Sequence, residues 1–251
     1  MVKERVAQNG PMLAPADPVV DVWSVNLTDA APLAALARTL LSQDERERAD
    51  RFRFPRLQTD FALSRGLLRA LLARACGCAP SEVTFAYGAQ GKPALANDTD
   101  VRFNLSHSGE IAVYAVVSGL EVGIDVEQQR PMDDLDAIAR RFLSPLEQKA
   151  LDSVGPERRL DAFFHCWVCK EAYIKALGQG LSLLDSFSVS VLPGHSASLV
   201  EVRNQPDEPA AWSLGAFTPA PGYHAAVAVR SRSVPIRVRR LEAEELLTRV
   251  P

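Results

Sequence analysis

Two short segments carry residue types that could do chemistry together. In Val122-Gly123-Ile124-Asp125-Val126-Glu127, two carboxylates stand two residues apart in an apolar run. As a strand, that run would send alternate side chains to opposite faces, so Asp125 and Glu127 would project together. In Trp167-Val168-Cys169-Lys170-Glu171-Ala172-Tyr173-Ile174-Lys175, Glu171 and Lys175 are four apart in a helix-forming run and share one helix face. Three carboxylates that can converge beside a cation suit a hard divalent metal and a phosphorylated substrate. Mg²⁺ usually takes one or two carboxylates, with phosphate oxygens and water completing its shell. The chemistry implied is phosphoryl-type transfer.

The elements that must position these groups can be read from periodicity and punctuation. Val19–Leu27 reads as an opening strand and Pro32–Leu41 as a short helix. Ser42, with Glu45 three residues on, forms a capping box for a charged helix. Phe61–Ala75 is predicted as a long amphipathic helix ended by Gly77. Phe85–Leu95 reads as a strand, a glycine-rich turn and an extended exit. Val101–Leu105, Ile111–Val117 and Glu121–Val126 then read as strands. Helices follow at Asp134–Phe142 and Arg158–Leu177, the second ending at Gly178. Phe187–Val191, Ser198–Val202, Trp212–Phe217 and Tyr223–Val229 read as strands of a meander. A basic solvated edge runs from Arg230 to Arg240, and a short helix from Leu241 to Leu247. The order of strand, helices and strands occurs twice. We therefore expect an α+β fold of two similar lobes: a flexible leader over 1–18, a first lobe over 19–118 and a second over 119–251.

Composition narrows the class. The 251 residues carry a net charge of −3, which argues against a protein whose main partner is nucleic acid. No apolar run reaches the 18 or so residues that span a bilayer, and the N-terminus lacks the apolar region of a signal peptide. A cytoplasmic protein with reduced thiols is expected. Cys76-Gly77-Cys78 and Cys166-Trp167-Val168-Cys169 lack the turn residues of zinc knuckles, so the four cysteines read as small buried hydrophobes.

Taken together, Phe103-Asn104-Leu105-Ser106-His107-Ser108, Val122–Glu127 and Trp167-x-x-Lys170-Glu171-Ala172-x-x-Lys175 resemble the three signature motifs of the 4′-phosphopantetheinyl transferases. Gly91-Lys92-Pro93 and Gly180-Leu181-Ser182 extend the resemblance over roughly residues 40–190. The long chain is similar to the surfactin-synthetase-type branch, which fuses two lobes with pseudo-two-fold symmetry in one polypeptide. The resemblance implies a monomer that moves the phosphopantetheine arm of coenzyme A to a serine of an apo acyl or peptidyl carrier protein. Mg²⁺, for which Mn²⁺ substitutes, would assist, and adenosine 3′,5′-bisphosphate would leave.

It also implies roles for residues. Asp125, Glu127 and Glu171 match the metal triad, and Glu171, or a metal-bound water it orients, is the candidate base. Lys175 matches the lysine on the α- or β-phosphate; Lys170 stands between a phosphate contact and a solvated face. Ser106 and His107 are assigned to coenzyme A phosphates, and Lys92 and Arg65 to the 3′-phosphate. Arg48 belongs to a basic cluster with Arg46 and Arg51 near the same end, although Glu45 stands where some members have a base. The Phe142-Leu143-Ser144-Pro145 stretch is a candidate carrier-docking surface. Two alternatives remain open: a carrier-binding module without activity, and a Mg²⁺-dependent phosphatase or nuclease that directs the same acids at water.

Overall fold

The computed structural model describes residues 18–249 except 98, 193 and 195, so most of the expected leader lies outside the described residues. In chain order the first half holds β1 (Val20–Asn26), α1 (Ala34–Thr39), α2 (Gln43–Asp50), α3 (Pro55–Cys76), β2 (Phe85–Tyr87), β3 (Pro93–Leu95), β4 (Val101–Ser108) and β5 (Ile111–Ser118). The second half holds β6 (Val122–Gln128), α4 (Leu135–Phe142), α5 (Pro145–Asp152), α6 (Pro156–Leu177), β7 (Phe187–Val189), β8 (Leu199–Val202), β9 (Ser213–Phe217), β10 (Tyr223–Val229), β11 (Ile236–Arg240) and α7 (Ala243–Thr248).

The two halves repeat one plan. β5 lies between β1 and β4 in the first sheet, and β10 lies between β6 and β9 in the second, all antiparallel. Each half has one long helix, α3 or α6, of 22 residues. Both helices stop at a glycine in the left-handed region, Gly77 and Gly178, where a Cβ would be strained. A two-stranded hairpin follows each, β2–β3 and β7–β8. The latter stands apart from the second sheet, so the expected four-strand meander is instead a hairpin plus β9 and β10.

Alternation sorts the sheet residues into three cores. Ala112, Tyr114 and Val116 of β5 face α3, while Ile111, Val113, Ala115 and Val117 face the second sheet. Across from them Val122, Ile124 and Val126 of β6 and Ala225, Val227 and Val229 of β10 fill the layer between sheets. The remaining parity of β6, namely Gly123, Asp125 and Glu127, is thereby left for the other face. There, a Cβ on Gly123 would lie 2.1 Å from the Ala172 carbonyl oxygen and 2.3 Å from the Ala176 nitrogen of α6. Gly123 therefore lets α6 sit directly on the strand that bears the acids.

Four expectations change at this level. The second lobe does not extend to 251: β11 pairs parallel with β1, and α7 buries Leu246 and Leu247 with α3 in the first core. An open edge on β1 and an apolar patch on α3 draw the chain back. A further helix, α5, occupies the segment between the two helices expected there, with Ser144 and Glu147 forming its capping box. The candidate docking stretch is consequently interior at its centre: Leu143 and Ser144 are buried and the half-buried Phe142 ring packs on Trp167, while Pro145 is exposed. Finally, Cys76 and Cys78 are half-exposed at the end of α3, whereas Cys166 and Cys169 are buried as expected. Burial pushes the Cys169 thiol up to about 12.

Lys170 meets neither of its expected surroundings. Its ammonium is fully buried, donating to both Glu147 carboxylate oxygens at 2.8 and 2.6 Å and to the Phe187 carbonyl at 2.8 Å. Glu147 also accepts from the Ser144 and Val189 backbone N–H groups. The pair thus ties α5, α6 and β7 together. Lys170→Met should strand a buried carboxylate and cost about 3–5 kcal/mol, read as a lower urea midpoint; an unchanged midpoint would refute the structural role. Gly123→Ala should lower stability by about 1–3 kcal/mol through overpacking and reduce activity further, because α6 must move off β6. Activity at the wild-type level in a folded Gly123→Ala protein would contradict that seating.

Candidate active site

β4 and β6 meet along the junction of the lobes through side chains. Asn104 Oδ1 accepts from the Ile124 N–H at 2.9 Å. Ser106 Oγ donates to Asp125 Oδ1, and Ser108 Oγ to Glu127 Oε2, both at 2.8 Å. Ser108 Oγ also accepts from the Gln128 N–H. Residues 104, 106 and 108 share one parity of β4, while Phe103 and Leu105, on the other parity, join the first core. Each lobe therefore hands one strand's polar face to the same cleft.

Lys175 reaches this cleft from α6. Its ammonium lies 2.5 Å from Asp125 Oδ1 and donates to Ser106 Oγ at 2.9 Å. The structure thus brings together Ser106, Asp125 and Lys175, three residues expected at the site. Asp125 is buried, and its other oxygen, Oδ2, has no protein partner. Glu171, one turn before Lys175, has its carboxyl pushed up to about 7, first by burial and then by the charges of Asp125 and Glu127, against the opposing pull of Lys175. The Glu127 carboxyl is also raised, chiefly by burial, with the Ser108 hydrogen bond opposing. Three acids and one lysine thus interact electrostatically in a part-buried cleft.

Beside the cleft lies a cavity of about 930 Å³, lined by Arg48, Phe61, Arg65, His107, Ser108 and Gln128 among others. His107 and Ser108 bring the end of β4 to it, so the cavity runs on to the residues that hold Glu127. Arg48 and Arg65 both approach the Phe61 ring, with guanidinium carbons 5.4 and 5.9 Å from its centre. Arg46, by contrast, folds back onto the Leu41 carbonyl. Lys92 is not brought to Arg65. It lines a different cavity, of about 430 Å³, and donates to the Ala176 carbonyl at 2.8 Å, the Val122 carbonyl at 3.2 Å and Glu121 at 3.4 Å. Those contacts cross from the first lobe to the end of α6 and the start of β6, so its ammonium bridges the lobes in this arrangement. A joint clamp of Arg65 and Lys92 on one phosphate is therefore not what the geometry offers.

Sequence reasoning missed Asn104, Ser108 and Gln128 as parts of the site. The signal for the first two was available: they share the parity of Ser106 on one strand. Gln128 gives none, because its place depends on a cavity shared by α2, α3, β4 and β6.

Comparison with known proteins accords with this arrangement. A family model described as the 4′-phosphopantetheinyl transferase superfamily matches residues 121–228, and one described as 4′-phosphopantetheinyl transferase, N-terminal, matches 28–119. The 4′-phosphopantetheinyl transferase HetI of Nostoc sp. is 39% identical over 214 residues, 84% of this chain and 87% of that protein. The 4′-phosphopantetheinyl transferase Sfp of Bacillus subtilis is 33% identical over 210 residues, 83% and 91% of the two chains. The psf-1 transferase of Bacillus pumilus is 34% identical over 214 residues, 85% and 89%. With matches to both lobes, and relatives of this identity over most of its length, the chain belongs to the 4′-phosphopantetheinyl transferase superfamily, in its two-lobe, Sfp-like branch.

Proposed function

We propose that this transferase moves the 4′-phosphopantetheine arm of coenzyme A to a serine hydroxyl of an apo acyl or peptidyl carrier protein, with Mg²⁺ and with release of adenosine 3′,5′-bisphosphate. The observation that carries the reading is the convergence of Ser106, Asp125 and Lys175 beside Glu171, at the edge of a cavity lined by Arg48, Arg65 and His107. That is an anion-binding cavity leading to a proton acceptor.

The residues fit a divalent metal. Asp125 has an orphaned buried oxygen, and Glu127 and Glu171 are both raised, first by burial and then by the charge of Asp125. Among the described residues no three His, Cys, Asp or Glu side chains already close into a metal cage. An open arrangement suits Mg²⁺, which keeps water and substrate phosphate oxygens among its ligands. Asp125, Glu127 and Glu171 would hold it. When bound, it would neutralise charge on the pyrophosphate.

The chain's own residues then do the following. Arg48 and Arg65 hold the 3′-phosphate, and His107 and Ser106 meet the phosphates nearer the reaction. Lys175 orients the β-phosphate for attack by the carrier serine. Glu171, or a water it orients, takes the hydroxyl proton. The new bond joins serine Oγ to the β-phosphorus, and the bond to the bridging oxygen of the α-phosphate breaks. The reading predicts that an apo carrier incubated with the protein, coenzyme A and Mg²⁺ gains the mass of one phosphopantetheine arm; no gain across acyl and peptidyl carriers would overturn it. A phosphatase using the same acids would release phosphate without any carrier.

Two further outcomes test the site. Asp125→Ala and Glu171→Gln should lose transfer by on the order of 100-fold or more, and Mg²⁺ should raise the melting temperature of the wild type but not of either variant. In metal-free protein, Glu171 titrates near 7 when folded against 4.5 for an ordinary glutamate. The folded state then binds the extra proton between those values, so this group's contribution falls as pH rises from about 4.5 to about 7. Glu171→Gln should flatten that part of the stability profile; an identical slope in both proteins would reject the raised carboxyl.

A further inference from the structure

Where α2, α3 and β2 meet, arginines and rings cluster. Arg48 and Arg65 both approach the Phe61 ring, and Arg65 and Arg69 both approach the Phe85 ring, at 4.9 and 5.5 Å. Among the described residues one acid, Glu45, makes ion pairs with these arginines. It is 3% exposed, at the first turn of α2. Glu45 Oε2 accepts from the Ser42 N–H at 3.0 Å and from Arg69 Nε at 2.5 Å, while Glu45 Oε1 stands 3.4 Å from Arg65 Nε.

The two arginines that share this carboxylate are satisfied unequally. Arg69 also donates to the Pro80 and Val83 carbonyls at 2.7 and 2.9 Å, so its guanidinium is anchored by protein on two sides. Arg65 has only a 3.4 Å ion pair to Glu45 Oε1, which accepts no hydrogen bond among the described residues, and a 3.5 Å contact to the Tyr87 hydroxyl. Its Nη1 is buried and has no protein partner, and Arg65 lines the large cavity whereas Arg69 does not. A buried guanidinium nitrogen left unpaired is costly unless a ligand completes it.

We propose that Glu45 is a positioning residue for the donor's terminal phosphate: it locks Arg69 and tethers Arg65 at Nε, so that Nη1 stays free for the anion. This rests on the reading of Arg65 given above. By holding the start of α2 to α3, Glu45 also keeps Arg48 and Arg65 beside the same Phe61 ring. An acid next to an anion site lowers the local positive potential, so what Glu45 contributes there is geometry and not charge. Glu45 does not itself touch the substrate.

The experiment compares coenzyme A with 3′-dephospho-coenzyme A as donors for one apo carrier, in wild type, Arg65→Ala, Glu45→Ala and Glu45→Gln. Loss of the tether should raise the KM for coenzyme A about tenfold in Glu45→Ala, leave kcat within about twofold, and barely change the KM for the dephospho donor. Glu45→Gln, which retains an oxygen for Ser42 and for Arg69, should recover part of the loss, and it decides the matter if Glu45→Ala does not fold. Equal losses for both donors, an unchanged preference for coenzyme A, or a lower KM in Glu45→Gln would each overturn the positioning role. A wild type without preference between the donors, or an Arg65→Ala variant that keeps it, would instead show that the Arg65 reading is at fault, and the inference would fall with it.

Discussion

Two sheets approach each other at β4 and β6, and the contact between those strands is built from side chains. An unpaired strand edge buried at an interface would leave N–H groups without partners, a cost of about 1–3 kcal/mol each. Here Asn104 and Ser108 supply acceptors for the Ile124 and Gln128 N–H groups. Ser106 and Ser108 donate to the carboxylates of β6 in the same repeat. The hydrogen bonds that join the lobes are therefore also those that aim the acids. Side chains hold the strands far enough apart for a third element to reach between them, and Lys175 does so from α6. Any change in how the lobes meet moves Asp125 and Glu127 relative to that lysine.

A second constraint is the shortage of positive charge in the cleft. Two buried pairs illustrate the contrast within one molecule. Glu147 and Lys170 are closed: every oxygen and the ammonium have partners, and the pair joins three elements. Asp125 and Lys175 are open: an oxygen remains bare, two further acids stand nearby, and the lysine is partly accessible. The closed pair supports the fold and the open one is available to ligands. Adjacent residues, Lys170 and Glu171, fall into opposite classes because they lie about 100° apart around α6, one toward β7 and the other toward the cleft.

Much of this was legible from pattern. The parity of Asp125 and Glu127 on a strand, the one-turn spacing of Glu171 and Lys175, the Ser42–Glu45 capping box and the glycines that end both long helices follow from local rules. What was not legible depends on distant partners. Lys170 looks identical to a surface lysine until Glu147 is placed beside it. Lys92 was read with Arg65 because both match first-lobe basic residues that the resemblance assigns to the 3′-phosphate; only its contacts with the Val122 and Ala176 carbonyls send it elsewhere. The basic run 230–240 reads as a solvated edge, which holds for most of its arginines, yet Val20 had no local signal that it would find Ile236 as its neighbour.

That last pairing gives the chain an unusual order of completion. The first sheet begins with β1 and is finished by β11, whose neighbour α7 also covers part of α3. Nearly the whole second lobe lies between the two in sequence. The lobes resemble each other, but they are not independent beads on a string: the second is enclosed within a loop whose two ends belong to the first. During synthesis the first sheet must wait with an exposed edge until the last strand emerges, and that edge is open to wrong neighbours meanwhile. Once closed, β11 and α7 join the far end of the second lobe to the first, so the cleft lies between lobes linked at both ends of that loop.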